Sequence, residues 1–176
     1  MAKTIEIRPL AREDDRSNFS SGQPDLDRFF EHYAGQNQFK LHLAVTYVAL
    51  VDKAIVGFAT VAASSLERAN VPNARLRKRL PAYPLPVLRV ARLAVDTRAR
   101  GVGLGKALLR HVLTLAVKQR DRIGCIGVVT DAKPQAVTFY LELGFVPIED
   151  VCEGLLHGGA QPMFLPIDTI AAALDD

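Results

Sequence analysis

Two apolar rhythms alternate along the chain. Thr4 to Leu10 (TIEIRPL) set apolar and polar side chains in turn, the period of a half-buried strand. Behind Gly22 and Pro24, Leu26, Phe29, Phe30 and Tyr33 recur at helical spacing and predict an amphipathic helix from Pro24 to about Gly35. Leu43–Val51 (LAVTYVALV) and Ala54–Ala63 (AIVGFATVAA) are β-rich runs that meet at Asp52-Lys53, a hairpin signal. From Ser64 to Pro86 the rhythm breaks and four prolines appear, which predicts a short helix or loop excursion before the strand Val87–Val95. Apolar residues at 104, 108, 112 and 115 predict a helix from Gly101 to about Asp121, opened by a glycine-rich turn. A short strand follows at Ile126–Thr130, then a helix at Pro134–Leu143 with proline near its start and Gly144 just past its end. Phe145–Glu149 and Met163–Ile167 read as closing strands, and Asp168–Leu174 as a terminal helical turn. With no repeat, low-complexity tract or boundary, this order predicts one α/β layered domain over residues 1–176.

Composition narrows the class. The 176 residues are 49% apolar and 23% charged, a globular balance that argues against wholesale disorder. No run approaches the roughly 20 apolar residues of a membrane-spanning helix, and the charged first thirty residues lack the apolar core of a signal peptide. Cys125 and Cys152 are too few for a disulfide framework or a zinc site. The expectation is a soluble cytoplasmic protein with reduced thiols, no membrane partner and no metal.

The net charge of +3 conceals a polarity. Between Ser64 and Arg122 stand 14 Lys/Arg against Glu67, Asp96 and Asp121, while the rest of the chain holds 8 bases and 16 acids. A surface built from the first stretch attracts phosphates or an acidic partner; residues scattered around the fold would be no more than solvated faces.

The most informative segment is Arg100-Gly101-Val102-Gly103-Leu104-Gly105-Lys106, between a strand and a helix. Glycines at this spacing allow backbone approach to a bulky anion, and the unpaired N–H groups of the helix start point at it. A Walker loop fails because Lys106 is followed by Ala107, and a Rossmann turn fails because the spacing is G-x-G-x-G with no ribose-binding acid in a following strand. A ligand-free glycine cap is the remaining alternative.

Arg100-x-x-Gly103-x-Gly105, following Arg92-Leu93-Ala94-Val95, resembles the pyrophosphate motif of the Gcn5-related N-acetyltransferase (GNAT) family. A second segment, Ala136-Val137-Thr138-Phe139-Tyr140-Leu141-Glu142-Leu143-Gly144-Phe145, is similar to that family's A-x-x-F-Y-x-x-x-G-F stretch beside the thioester. The resemblance implies a GNAT fold, with a mixed central β-sheet flanked by helices, and acetyl-CoA as cofactor. It implies that pantetheine pairs with backbone at Leu93, Ala94 and Val95. The pyrophosphate would sit on the amides of Arg100, Gly101, Val102, Gly103, Leu104, Gly105 and Lys106. It further implies that Tyr140 is the acid that protonates the departing thiolate. A phenol with pKa near 10 keeps its proton at neutral pH and is able to donate it; the alternative is a packing role. No general base stands out: Glu142 is two helical residues from Tyr140, the acids at 149, 150 and 153 read as surface, and His42, His111 and His157 lack an obvious partner. A site without a strong base suits an α-amine, whose pKa of about 7.7–8.0 leaves it partly neutral, better than a lysine near 10.4.

The resemblance narrows further. Phe19-Ser20-Ser21-Gly22-Gln23-Pro24-Asp25-Leu26-Asp27-Arg28-Phe29 is similar to the F-x-C-G-x-x-x-L-D-x-F opening of acetyltransferase toxins from bacterial toxin–antitoxin modules, with Ser21 where cysteine is common. Pro84-Leu85-Pro86 leading into Ala91-Arg92-Leu93-Ala94-Val95-Asp96, Asp131-Ala132-Lys133 and the closing Pro162-Met163-Phe164-Leu165-Pro166 also fit, with Ala91 where glycine is frequent. Lys133 joins the expected cofactor-binding residues. These toxins acetylate the α-amine of aminoacyl-tRNA, which implies a block of translation. They are neutralised by a ribbon-helix-helix antitoxin, and many form homodimers. On this reading Arg75, Arg77, Lys78, Arg79, Arg89 and Arg92 form a surface that tracks tRNA phosphates; an acidic antitoxin tail is the other guest such a surface suits. A housekeeping N-acetyltransferase for a small amine or a protein N-terminus is the alternative function.

Overall fold

In a computed structural model, residues 3–149 and 159–175 are described. Asp150, Cys152, Glu153 and His157 lie outside them. The strands are β1 (Ile5–Pro9), β2 (Val45–Val51), β3 (Ala54–Leu66), β4 (Leu85–Val95), β5 (Gly127–Ala132), β6 (Val146–Pro147) and β7 (Gln161–Pro166). The helices are α1 (Pro24–His32), α2 (Ala34–Phe39), α3 (Ala74–Arg79), α4 (Leu104–Arg122), α5 (Val137–Glu142) and α6 (Ile167–Asp175). The strands form one mixed seven-stranded sheet in the order β1-β2-β3-β4-β5-β7-β6 with flanking helices. The described residues group into two compact units. One runs to Ala62 and adds Val90–Val112; the other comprises Ala63–Arg89 and the chain from Leu113 onward.

In the first unit, β1 pairs antiparallel with β2, and β2 with β3. The β2–β3 turn puts Asp52 and Lys53 at φ 51° and 66°, the left-handed pair that matches the twist of a two-residue hairpin. The register then shifts: Leu50 faces Ile55 while Ala49 faces Gly57, which leaves Val56 as the extra residue of a bulge. Its carbonyl accepts the Asp96 N–H at 2.8 Å. Gly57 is glycine for space, since a Cβ there would stand 2.9 Å from Leu108 Cδ1.

α1 forms as its pattern predicts. Pro24 opens it, Asp25 and Asp27 complement the positive end of its dipole, and Leu26, Phe29 and Phe30 are buried. Phe30 stacks on Phe58 at 4.3 Å and Phe19 meets both rings edge-on, building a core with Leu10, Val48, Leu50 and Ala94. Burial of each such ring stabilises by about 1.5–3 kcal/mol. α2 was not predicted, because AGQNQF carries no apolar period. It is fastened by polar bonds instead: Gln38 donates to the Leu10 carbonyl at 3.0 Å and accepts the Thr46 N–H at 2.8 Å.

In the second unit, β5 and β6 both pair antiparallel with β7. Leu66, Val71, Leu85, Val87, Val129, Ile148 and Phe164 are its core, with Leu76 and Leu80 of the excursion packed against it. The excursion resolves into a 3₁₀ turn at Arg68–Asn70 and α3, whose first turn is capped by Asn73 accepting the Leu76 N–H at 3.1 Å. The predicted helix Pro134–Leu143 divides into a 3₁₀ turn at Pro134–Ala136 and α5, and the predicted strand Phe145–Glu149 shortens to β6.

Candidate active site

The segment that leads into the glycine turn is anchored by a buried carboxylate. Asp96, wholly buried, accepts the Ser20 N–H at 3.0 Å, the Arg98 N–H at 2.9 Å and the Arg98 guanidinium at 2.9 and 3.0 Å. The Arg98 bonds outweigh the cost of burial and hold the carboxyl down at about 2. Thr97 donates to the Ser20 carbonyl at 2.9 Å, and the Arg100 guanidinium donates to the Ser21 carbonyl. Ser21 in turn donates from both N–H and hydroxyl to Asp27, at 2.8 and 2.7 Å. The segment Phe19–Phe29 therefore fixes the approach to the turn, and Ser21 fills its place with a buried, satisfied hydroxyl.

In the turn itself the backbone stands open. Gly101 and Gly103 both adopt φ 82°, which favours glycine, and a Cβ at either would meet nothing within 4 Å. α4 begins at Leu104, whose side chain is buried, and its first turn closes with Ala107 donating to the Gly103 carbonyl at 3.0 Å. No acid stands in that first turn and Lys106 is exposed there. A helix start leaves its first N–H groups without intrahelical partners. With two left-handed glycines ahead of it and a cation beside it, the turn fits a diphosphate. Leu93, Ala94 and Val95 are the last three residues of β4, ahead of this turn.

Tyr140 lies on α5 with only 4% of its surface exposed. Its ring meets Phe139 and Phe145 edge-on at 5.1 and 5.2 Å, and its hydroxyl is hydrogen-bonded to the Thr130 side chain on β5. Burial pushes the phenol pKa up from its ordinary value, with the Thr130 bond acting against it. The proton is held at neutral pH, so the group is a donor and never a base there. Packing and proton holding coincide in this residue. Thr130 was missed by sequence reasoning, because a threonine in a buried strand carries no signal of its own. Lys133 is half-buried, its carbonyl accepting the Ala136 N–H at 2.8 Å, and Glu142 is exposed. His42 is exposed, and His111 lies beside Tyr47 with ring centroids 4.8 Å apart.

The six cations expected on a phosphate-tracking surface do not share one environment. Arg75, Lys78 and Arg79 are exposed on α3, where Arg77 is half-buried and donates to the Val71 carbonyl at 2.7 Å. Arg89 donates to Ser64 Oγ at 3.3 Å and pairs with Asp131 at 3.1 Å. Arg92 lies over the Phe29 ring at 3.7 Å, and burial lowers its pKa while Asp25 opposes the shift. Among the described residues, no group of His, Cys, Asp and Glu is arranged to hold a metal, and no helix is long and apolar enough to cross a membrane.

Comparison with known proteins bears on the fold and the family. Residues 42–147 match the family model of the acetyltransferase (GNAT) domain. The tRNA-acetylating toxin of Mycobacterium tuberculosis is 34% identical over 139 residues, spanning 78% of this chain and 82% of that protein. The solved structure of AtaT complexed with acetyl-methionyl-tRNAfMet has a TM-score of 0.84 at 24% identity, over 97% of this chain and 99% of the other. A tyrosine-to-phenylalanine mutant of AtaT, bound to the C-terminus of the antitoxin AtaR and acetyl-CoA, has a TM-score of 0.75 at 23% identity, over 98% and 99%. The two structures share the fold, and the family model spans more than half of the sequence. The chain belongs to the GNAT acetyltransferase family.

Proposed function

We propose that this protein is an acetyl-CoA-dependent N-acetyltransferase toxin of a toxin–antitoxin module, a single catalytic domain that acetylates the α-amine of aminoacyl-tRNA and is restrained by a cognate antitoxin. The open left-handed turn at the head of α4 is the observation that carries it. The acceptor class is supported by the tRNA-acetylating relative, and the antitoxin by the AtaT complex with AtaR. A ribbon-helix-helix fold for that antitoxin, a homodimeric enzyme and a cytoplasmic setting follow from the same family likeness.

Arg100, Gly101, Val102, Gly103, Leu104, Gly105 and Lys106 would hold the diphosphate of acetyl-CoA, and the backbone of Leu93, Ala94 and Val95 its pantetheine arm, with Lys133 beside the cofactor. When bound, the cofactor supplies a thioester, an activated acetyl group whose departing sulfur needs a proton. Tyr140 holds that proton at its hydroxyl oxygen, kept there by burial. Asp131 is paired with Arg89 at 3.1 Å. An α-amine that is partly neutral at pH 7 fits such a site. Arg75, Arg77, Lys78 and Arg79 of α3 supply the cations for tRNA phosphates; Arg89, paired with Asp131, and Arg92, stacked on Phe29, serve the fold.

The test is transfer of labelled acetyl from acetyl-CoA to a panel of charged tRNAs, scored by mass. Acetyl on the α-amine of one or more aminoacyl groups is expected. Transfer only to small amines or to protein N-termini overturns the tRNA reading.

A further inference from the structure

Two adjoining cavities open on the second unit. The larger, about 1040 Å³, is lined by Arg68, Arg77 and Lys78. The smaller, about 300 Å³, is lined by Arg89, Thr130 and Asp131. Glu67, Asn70 and Ile148 line both, so the cavities adjoin, with Glu67 on the wall they share.

The carboxylates of the smaller cavity differ. Asp131 is paired with Arg89 at 3.1 Å. Glu67 is exposed, its side chain does not cap the turn Arg68–Asn70 that it precedes, and among the described residues it takes part in no salt bridge. The guanidinium groups of the larger cavity are steadied by backbone, Arg68 donating to the Leu80 carbonyl at 3.2 Å and Arg77 to the Val71 carbonyl at 2.7 Å. Thr130, on the wall of the smaller cavity, is the hydrogen-bond partner of the Tyr140 hydroxyl. The smaller cavity is therefore one hydrogen bond from the proposed acid, and the three cations line the adjoining larger cavity together with Glu67 and the exposed Glu149.

We infer that Glu67 recognises the α-ammonium of the aminoacyl group, while Arg68, Arg77 and Lys78 hold the phosphates of the nucleotides that carry it. This rests on the acceptor class proposed above. Charged tRNA ends in one cation attached to a chain of anions; the smaller cavity offers one carboxylate, Glu67, outside any salt bridge among the described residues, and the larger cavity adds three cations and one further acid, Glu149. An acidic peptide would gain from the cations but be repelled at Glu67. The carboxylate collects the acceptor as the ammonium, the form that prevails below its pKa, and the fraction that has lost its proton reacts.

The test is steady-state kinetics with the charged tRNA on which the wild-type enzyme is fastest. The methyl ester of the same amino acid serves as a phosphate-free acceptor or competitive inhibitor. Glu67→Gln is expected to raise KM, or the inhibition constant, about 10-fold for both, the weight of one charge-assisted hydrogen bond, with kcat within about twofold. Arg68→Gln and Arg77→Gln are expected to raise KM about 10-fold for the charged tRNA and to leave the ester unaffected. Glu67→Asp, which keeps the charge, recovers part of the loss. Unchanged constants in Glu67→Gln, or a loss confined to the tRNA and matched by deacylated tRNA, overturn the inference, as does tighter binding of an acidic antitoxin peptide with acceptor kinetics unmoved. A wild-type enzyme inactive on every charged tRNA overturns the proposed function itself. An active wild type with an indifferent Glu67→Gln removes this inference alone.

Discussion

The guanidinium carbon of Arg92 lies 3.7 Å from the centroid of the Phe29 ring, so an arginine of β4 and an aromatic residue of α1 hold each other in place. Asp25 on the same helix adds a favourable charge, and the half-buried guanidinium covers apolar surface as well as attracting the ring. Arg92→Ala is expected to lower stability by about 1–2 kcal/mol, read from the denaturant midpoint. It should leave the salt dependence of tRNA binding as in the wild type. Charge reversal at Arg75 and Arg79, both exposed, should do the opposite. The slope of log K against log salt should flatten by about one unit for each phosphate no longer neutralised, with the denaturation midpoint barely moved. An unchanged slope would deny α3 its part in binding.

Asp96 ties the opening segment to the glycine turn, and its low pKa gives that tie a pH signature. The folded-state value is about 2, below the ordinary carboxylate value of 3.8. The contribution is present in full above the unfolded pKa and is lost as pH falls from about 4 toward 2. Because Arg98 faces water, it is on the order of 1–2 kcal/mol. Asp96→Asn should be less stable than wild type at pH 7, with the gap closing as pH falls toward 2. Denaturation curves at pH 7, 4 and 2.5 would show it, and a gap independent of pH would mean that shape rather than charge is what matters.

Gly103 separates conformation from space. A Cβ there meets no neighbour, so the protein alone would tolerate a side chain apart from the strain of φ 82°. Gly103→Val is expected to cost about 1–2 kcal/mol of stability through that strain. Acetyl-CoA binding, measured by calorimetry, should be lost, because the added atoms occupy the open side that the diphosphate needs. Binding within about threefold of wild type would remove the turn from the cofactor site, since one methylene in a tight contact already shifts affinity by more.

The hairpin at Asp52-Lys53, the helix behind Pro24 and the strand-turn-helix around Gly103 were legible because each follows from period and punctuation close in sequence. α2 was not, because it is fastened by Gln38 to Leu10 and Thr46, polar bonds between segments that no local pattern announces. The cations show the same limit. Six basic residues count alike in a charge tally, yet Arg92 is claimed by Phe29 and Arg89 by Asp131, and burial and partners decide that. Thr130 and Glu67 carried no signal either; the first is defined by a bond to Tyr140, the second by the two cavities it lines.

Tyr140 is at once a core residue and the proposed acid, and two substitutions tell these roles apart. Tyr140→Phe keeps the ring between Phe139 and Phe145 and removes only the hydroxyl. Stability should change by about 1 kcal/mol, because Thr130 is left without that partner. If the phenol protonates the leaving sulfur, kcat should fall by about 10²–10⁴-fold with the Kd for acetyl-CoA unchanged. Thr130→Val removes the same hydrogen bond from its other end and leaves the phenol in place. It should cost a similar amount of stability while kcat falls by less than about 10-fold, since the proton donor remains. Denaturation midpoints and single-turnover acetyl transfer on both variants decide the matter. Matched losses of stability with sharply different turnover assign proton donation to Tyr140, and equal turnover in the two variants leaves it a packing residue.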